Sequence, residues 1–291
     1  MTIDYPAVLG LEEKGPRYAY TERDAMLYAL AVGLGSNSLN EQELPFIYEK
    51  NLRAVPTLAT VIAWGAGVST DRLGVNQKLV LHGEEETIFH RTLAPSGAVL
   101  PESRVVEVYD KGKDKGAVIL RRTVLRDEAD GAPVATINRT IIARGDGGAG
   151  GSAGAPRAPH VVPERRPDAT LSYETRPDQA ALYRLCGDRN PLHVDPRMAQ
   201  VAGFTAPILH GLCTYGMTCR AVLETYCDFD PSFIASHAVR FSSPVYPGET
   251  LKVDLWRDED TVSFEASVPQ RGVTVVKSGK SMLRPDRWLG H

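Results

Sequence analysis

The chain has 291 residues, of which 43% are hydrophobic and 24% are charged, so it can bury a full core and is long enough for two domains. Its net charge of -3 and the absence of a basic run argue against nucleic acid as the main partner. No apolar stretch approaches a membrane span, and the start MTIDYPAVLG lacks the order of a signal peptide. We therefore expect a cytoplasmic, globular protein.

In chain order, the first half begins with a short amphipathic helix that contains LYAL, residues 27–30, and stops at a glycine. A longer apolar helix and a series of alternating strands follow, among them VLPESRVVEV from Val99. The stretch RGDGGAGGSAGAPRAPHV then reads as a linker, because it is too poor in large apolar residues to pack. These features predict an N-terminal domain at 1–144, a linker at 145–162 and a C-terminal domain at 163–291.

The second half repeats this order of elements. LYRL, residues 182–185, corresponds to LYAL, and VYPGETLKVDL from Val245 corresponds to the strand from Val99. ILHGLCTYGMTCRAVLETYC predicts a buried helix, and RFSSPV, TLKVDLWRD, TVSFEASV and GVTVVKSGKSML predict an antiparallel meander. The similarity indicates an internal duplication in an α+β fold, with a curved antiparallel sheet wrapped around a long central helix in each half.

One polar stretch, GDRNPLH at residues 187–193, has two interpretations. Its Gly, Asp, Asn and Pro are ordinary turn formers, so it fits a solvated loop. Its Asp188, Asn190 and His193 could equally surround one water, with the acid and the imidazole sharing acid-base duty and the amide orienting the water. Overlay of the LYxL pairs places Gly33, Gly35 and Ser38 opposite these three groups. The restriction of the polar set to one half favours the chemical role.

A second feature is the start of the buried helix at Gly211. Backbone N–H groups in the first turn of a helix have no intrahelical acceptor, and the helix dipole favours negative charge there. An enolate or tetrahedral oxyanion at this point would be stabilised by about 3 kcal/mol for each well-aimed donor. The sequence thus predicts an oxyanion hole next to the polar loop.

The run YRLCGDRNPLHVDP, followed by GFTAPILHGLCTYG and RFSSPVYPGETL, resembles the hydratase 2 family of MaoC-like (R)-specific enoyl-CoA hydratases, which have a double hot-dog fold. The first half, with ERDAMLYALAVGLG, AVPTLATVIAW, LVLHGEE and YDKGKDKGAV, is similar to the degenerate first hot dog of the eukaryotic-type members. The resemblance covers nearly the whole chain. It implies a degenerate N-terminal hot dog that binds the acyl chain and a catalytic C-terminal hot dog.

Site roles follow from this resemblance. It implies that Asp188 and His193 exchange protons with the water, that Asn190 helps hold it, and that the Gly211 N–H receives the thioester oxygen. It further implies an acyl-CoA site that involves His82, Gly83, Lys111, Arg189, Pro191, Leu192 and Phe241. The family's first-half motif commonly reads HGEQ or HGSQ, whereas this chain has HGEE, so Glu85 receives no role from the resemblance.

Several of these residues also fit a plain structural role. His82 lies in a strand-like segment, Lys111 belongs to a turn of solvated lysines, and Phe241 alternates along a strand. His210 fits a structural or capping residue. Asp188, His193 and Asp195 form a weak ligand set, so we expect no metal. No CxxC pair occurs among the four cysteines, which indicates reduced thiols: Cys186, Cys213, Cys219 and Cys227. The C-terminal WLGH does not match a peroxisomal targeting signal.

The function implied is the reversible hydration of trans-2-enoyl-CoA to (3R)-3-hydroxyacyl-CoA, in fatty acid metabolism such as β-oxidation. This lyase reaction needs no cofactor, since CoA is part of the substrate. Two alternatives stay open: a hot-dog acyl-CoA thioesterase that uses the same oxyanion hole, and a non-catalytic acyl-CoA binding subunit. The expected partners are an acyl-CoA thioester and a second copy of the chain, in a homodimer.

Overall fold

The computed structural model describes residues 3–76, 79–152 and 156–285. The C-terminal WLGH and residues 153–155 of the predicted linker lie outside the described residues. The helices are α1 (Tyr5–Leu9), α2 (Glu22–Ala31), α3 (Leu44–Ile47), α4 (Ala59–Ile62), α5 (Gln179–Tyr183), α6 (Pro196–Val201) and α7 (Gly211–Tyr226). The strands of the first half are β1 (Glu12–Lys14), β2 (Tyr18–Tyr20), β3 (Val80–Phe89), β4 (Gly97–Asp110), β5 (Ala117–Asp127) and β6 (Pro133–Ala143). Those of the second half are β7 (Ala169–Glu174), β8 (Ile234–Phe241), β9 (Thr250–Asp258), β10 (Thr261–Val268) and β11 (Val273–Leu283).

In the described part of the chain the strands form one antiparallel sheet of eleven strands, in the order β1-β4-β5-β6-β3-β8-β11-β10-β9-β7, with β2 paired to β4. The two halves meet where β3 pairs with β8, from Glu84 opposite Arg240 to Ile88 opposite Ser236. The α+β class is as predicted. The two predicted sheets, however, are continuous, because these two strands pair across the boundary and leave neither half-sheet with a free edge there.

The second half has the predicted central helix. α7 is buried along almost its whole length and begins at Gly211, as expected. It also packs against the first half: a Cβ added at Gly216 would lie 2.5 Å from Cγ1 of Val32. Only a glycine lets the helix come this close to its neighbour.

Within residues 3–76 and 79–152 the first half has no such helix, and the prediction of a long central helix there is wrong. A turn of 3₁₀ helix at Pro56–Leu58 and the four-residue α4 take its place. The chain then passes Gly65 and Gly67, whose φ values of +82° and +99° lie outside the right-handed helical region. The helix therefore ends early, and space remains under the first half-sheet.

Two other boundaries differ from the sequence interpretation. RFSSPV is not a strand as a whole: β8 ends at Phe241, and Pro244 cannot donate to a ladder. The first part of the predicted linker is docked rather than loose, because the Asp110 carboxylate accepts hydrogen bonds of 2.8 Å from both Gly148 N and Gly150 N. This docking depends on glycine, since a Cβ at Gly147 would lie 2.0 Å from the Gly112 carbonyl oxygen.

Candidate active site

The loop GDRNPLH is fixed by short-range hydrogen bonds. A 3₁₀ turn after α5 ends at Gly187, whose φ is +149° and whose added Cβ would lie 2.9 Å from Trp64 Cβ. Asp188 Oδ1 accepts from Asn190 N at 3.1 Å, and Asn190 Oδ1 accepts from Leu192 N at 3.0 Å. These side-chain bonds are turn-forming contacts, as the turn interpretation of the loop predicts, and the chemical interpretation stays a prediction. The Asn190 side-chain oxygen is engaged in the turn, and Asn190 is exposed, so its role in holding water stays a prediction.

His193 is buried at the end of this loop, and its tautomer is fixed by a carbonyl. Its Nδ1 lies 2.8 Å from the Ile208 carbonyl oxygen, which can only accept, so Nδ1 carries the hydrogen. Burial lowers the pKa of His193, although the Ile208 bond and the charge of Asp188 oppose the shift. The neutral ring therefore keeps an unprotonated Nε2, which is the form that a general base needs.

His210 stacks on His193, and sequence reasoning missed this contact. The two ring centroids are 3.7 Å apart with an angle of 26° between the planes. His210 Nε2 donates to the Asp188 backbone oxygen at 3.1 Å, and burial together with His193 lowers the pKa of His210 to about 3. A neutral His210 thus orients both the loop and the imidazole. The only sequence signal was its position before Gly211.

The acid and the two imidazoles form one cluster. A carboxylate oxygen of Asp188 and one ring nitrogen each of His193 and His210 lie within 4.8 Å of one another. Asp195, weighed with Asp188 and His193 as a metal ligand, instead caps α6 by accepting from Arg197 N at 2.9 Å. The cluster has the groups that proton transfer to and from a bound water requires.

Gly211, Phe241 and His82 lie side by side although they come from α7, β8 and β3. A Cβ added at Gly211 would lie 3.3 Å from Cε1 of Phe241, and the ring centroid of Phe241 is 4.9 Å from that of His82. Gly211 is the first residue of α7, where the backbone N–H has no intrahelical acceptor. The structure thus places three of the predicted residues around one helix N-terminus.

His82 is held by Glu85, a residue to which the resemblance assigned no role. His82 Nε2 lies 2.9 Å from Glu85 Oε2, and Arg139 binds both oxygens of Glu85 at 2.9 and 2.8 Å. Glu85 is completely buried. Burial opposes its ionisation, but Arg139 and His82 hold the pKa of Glu85 at about 2. The carboxylate is therefore charged and paired at neutral pH.

The other predicted residues are more dispersed. Gly83 is buried, and a Cβ there would lie 2.9 Å from Ile142, so it serves packing. Arg189 and Pro191 are exposed and Leu192 is half-buried. Lys111 lies at the exposed turn between β4 and β5, on a different element from the GDRNPLH loop. Its link to the site stays a prediction.

An open pocket lies in the first half, under the sheet where the central helix is short, and most of its empty space is continuous with solvent. Its lining residues come from the segment around α4 and from β4, β5 and β6: Ala59, Thr60, Ala63, Trp64, Gly65, Ala66, Ser103, Arg121, Thr123, Leu125, Ile137 and Arg139. Trp64 also contacts Gly187, and the Arg139 guanidinium carbon lies 5.1 Å from the centre of the Trp64 ring. The pocket is thus adjacent to the GDRNPLH loop.

Comparisons with solved structures give the fold. A MaoC-like dehydratase from Phytophthora capsici has a TM-score of 0.86 at 34% identity, over 97% of this chain and 99% of the other. A Mycobacterium tuberculosis protein described as having a double hot-dog fold has a TM-score of 0.56 at 16% identity, over 94% of this chain and 96% of the other. The double hot-dog fold predicted from the sequence is confirmed.

Comparisons with known sequences give the family. Residues 18–145 match the MFE-2 hydratase 2 N-terminal domain, and residues 159–278 match the MaoC like domain. Enoyl-CoA hydratase ChsH3 of Mycobacterium tuberculosis is 39% identical, over 97% of this chain and 99% of the relative. A probable enoyl-CoA hydratase 2 of Dictyostelium discoideum is 37% identical, over 98% of each chain. With the acid-imidazole loop and the helix N-terminus beside it, these matches show that the chain belongs to the MaoC-like hydratase 2 family.

Proposed function

We propose that the chain adds water to trans-2-enoyl-CoA to give (3R)-3-hydroxyacyl-CoA, at a site formed by Asp188, His193 and the N-terminus of α7. The chain is an enoyl-CoA hydratase 2, a hydro-lyase of fatty acid metabolism. The observation that carries the residue roles is the cluster in which Asp188 lies against a neutral His193 whose Nδ1–H is tied to a carbonyl. A carboxylate and a basic imidazole nitrogen are then both ready to accept hydrogen bonds from one water.

In this mechanism the water oxygen attacks C3 while the Asp188–His193 pair removes one of its protons. The electron pair of the C2–C3 double bond moves toward the thioester and gives an enolate. The pair then returns the proton to C2, so one O–H bond breaks and the O–C3 and C2–H bonds form. General acid-base groups of this kind contribute about 10² to 10⁴-fold in rate.

The enolate oxygen would be stabilised by the N–H of Gly211 at the start of α7. This donor is fixed by the helix and needs no reorganisation during the reaction, which is what makes such stabilisation effective. The Phe241 ring lies 3.3 Å from the place that a Cβ of residue 211 would occupy, and it would shield this point from solvent. The adjacent helix end supports hydration over a purely binding role.

The acyl chain would extend past Trp64 into the pocket of the first half, and CoA would lie outside. The proposed CoA contacts are the remaining predicted residues His82, Lys111, Arg189, Pro191, Leu192 and Phe241, whereas the buried Gly83 serves packing instead. The proposal keeps the predicted domain boundaries. The first half, residues 1–144, binds the acyl chain, and the second half, residues 163–291, carries the catalytic residues. Because Gly33, Gly35 and Ser38 replace the polar set in the first half, we expect one active site per chain.

We also propose that the protein is located in the cytosol and forms a homodimer. The four cysteines are all unpaired, which fits a reducing compartment. Across the described residues, the helices are all too short or too polar to cross a membrane. Sedimentation equilibrium tests the homodimer.

Our first prediction is that Asp188→Asn and His193→Ala each reduce kcat for hydration at least about 100-fold, because each removes a proton-transfer group. Hydration of crotonyl-CoA and decenoyl-CoA, with chiral analysis of the product, measures this. His90→Ala and Asp178→Asn remove exposed residues of the same types and should keep wild-type rates. Retention of more than about a tenth of the activity by either site variant contradicts the roles, and release of free CoA thiol in place of hydration would establish the thioesterase alternative.

A further inference from the structure

Three charged side chains form a row across the first half-sheet. Arg121 on β5 lies directly opposite Arg139 on β6, and Arg139 lies directly opposite Glu85 on β3. Directly opposite residues of neighbouring strands project from the same face of a sheet. Two guanidinium groups and one carboxylate therefore share the face under which the first half lacks its central helix.

Glu85, which is the single carboxylate of this row, is paired with Arg139. Both oxygens of Glu85 accept hydrogen bonds from Arg139, at 2.9 and 2.8 Å. Arg121 donates from Nη1 to the Val68 carbonyl oxygen, and within the described ranges no carboxylate lies at ion-pair distance from it. Burial and the nearby Arg139 lower the pKa of Arg121 to about 10, so it remains charged at neutral pH. The row therefore has two positive charges, on Arg121 and Arg139, and one negative charge, on Glu85.

This cation lines the proposed acyl pocket. Arg121 and Arg139 are both in its wall, together with the hydroxyls of Ser103 and Thr123, which hydrogen-bond to each other at 3.1 Å. A plain hydrocarbon chain in this pocket would take water from a guanidinium without replacing its hydrogen bonds, which is unfavourable. A chain that ends in an anion would supply the missing partner, and Arg binds carboxylates with two parallel hydrogen bonds.

The spacing fits recognition at a distance from the reacting carbons. Arg139 is near the catalytic loop: burial lowers its pKa, but the charges of Glu85 and Asp188 raise it above the usual value. Arg121 is two strands away from Glu85, which corresponds to roughly 10 Å across the sheet. Arg121 would therefore meet a group well along the acyl chain rather than the thioester.

We propose that Arg121 binds a carboxylate at the far end of the acyl chain, so that the substrates of this enzyme include enoyl-CoA thioesters derived from dicarboxylic acids. The inference rests on the proposed function, because it takes the acyl chain to lie in the pocket of the first half.

The test compares enoyl-CoA pairs of equal chain length, from octenoyl to dodecenoyl, that end either in a methyl group or in a carboxylate. The measured quantity is the ratio of kcat/KM for the carboxylate-ended to the methyl-ended member of each pair. We expect Arg121→Met to lower this ratio about tenfold or more at the best length, as for loss of a charge-assisted hydrogen bond. Arg121→Lys should retain part of the preference, and Arg121→Gln provides a polar variant if Met prevents folding.

Arg122→Met is the matched control. Arg122 is the next residue of β5, and its Nε donates to Asn138 at 2.8 Å on the other face of the sheet. This control should leave the ratio unchanged. An unchanged ratio in Arg121→Met, with methyl-ended substrates still hydrated, overturns the inference alone. An equal loss for every CoA thioester also overturns it, because Arg121 would then bind CoA phosphates. A wild-type protein that hydrates none of the substrates refutes the proposed function itself.

Discussion

Glu85 is a completely buried carboxylate whose charge depends on two neighbours. Burial opposes its ionisation, yet Arg139 and His82 hold its pKa at about 2, below the value of 4.5 expected for an unfolded chain. A carboxyl group with a lowered pKa in the folded state stabilises the fold above the unfolded pKa, and this contribution is lost as the pH falls through the folded pKa. A shift of this size corresponds to about 3 kcal/mol.

We therefore predict that the free energy of unfolding falls by about 3 kcal/mol between pH 4.5 and pH 2 through Glu85 alone. Glu85→Gln should be less stable than the wild type at pH 7, because it leaves Arg139 buried without its counter-ion, and should lose less stability over the acid range. Urea unfolding at a series of pH values measures both. Glu84→Gln is the control, since Glu84 pairs with the exposed Arg240 and such surface pairs contribute at most about 1 kcal/mol. Parallel acid profiles for Glu85→Gln and the wild type would contradict the prediction.

Some site residues could be predicted from the sequence, whereas contacts such as that of Glu85 with Arg139 could not. Asp188, Asn190 and His193 lie within six residues, so local turn chemistry and the type of side chain were enough to single them out. Arg139 is 54 residues from Glu85, and their contact depends on the register of β3 against β6. A one-residue slip in register would send the two side chains to opposite faces. Such pairs cannot be assigned without the sheet pairing.

At the scale of elements, the contrast between the two central helices explains the pocket. α7 fills the space inside the second half-sheet with sixteen residues, whereas α4 has four. The sequence around residues 54–64 is as apolar as a core helix, and periodicity alone predicts one there. In the structure, helical turns begin only at Pro56, and the positive φ of Gly65 ends the segment. Apolar side chains of this short segment line the pocket.

We predict that filling this cavity shortens the acceptable substrate. Ala59 is 1% exposed and lines the pocket, so Ala59→Phe should lower kcat/KM for decenoyl-CoA far more than for crotonyl-CoA. Each methylene that loses its place in the pocket forfeits about 0.8 kcal/mol of burial. Ala63→Leu, at a half-buried position of the same wall, tests the idea with less strain on the core. Equal losses for both substrates would show that the acyl chain lies elsewhere.

At the scale of the whole molecule, the two halves are joined by more than the β3–β8 pairing. Gln179 Nε2 donates to the Ala31 carbonyl oxygen at 2.6 Å, and the sulfur of Cys213 lies 3.3 Å from the same oxygen. Arg220 of α7 donates to the Gly33 carbonyl oxygen at 2.7 Å, at the position that corresponds to Asp188 in the other half. The backbone of the first half therefore holds α7, whose first residue is the proposed oxyanion donor Gly211.

The strongest link is the ion pair between Arg220 and Glu43, which are 6% and 1% exposed and 2.7 Å apart. Removal of one partner leaves the other charge buried and unpaired, which typically costs about 3 to 5 kcal/mol. We therefore predict that Glu43→Gln lowers the free energy of unfolding by about this amount and that the chain still unfolds in a single step, because β3 remains paired with β8 across the boundary. Gln42→Ala is the matched control: its amide bonds to Asp228 across the same boundary at 2.7 Å but is exposed, so the change should stay within about 0.5 kcal/mol. Urea unfolding followed by fluorescence and circular dichroism measures both variants.

Two separate transitions, or an isolated second half as active as the whole chain, would mean that the two halves are independent. The proposed catalytic loop would then need no support from the first half.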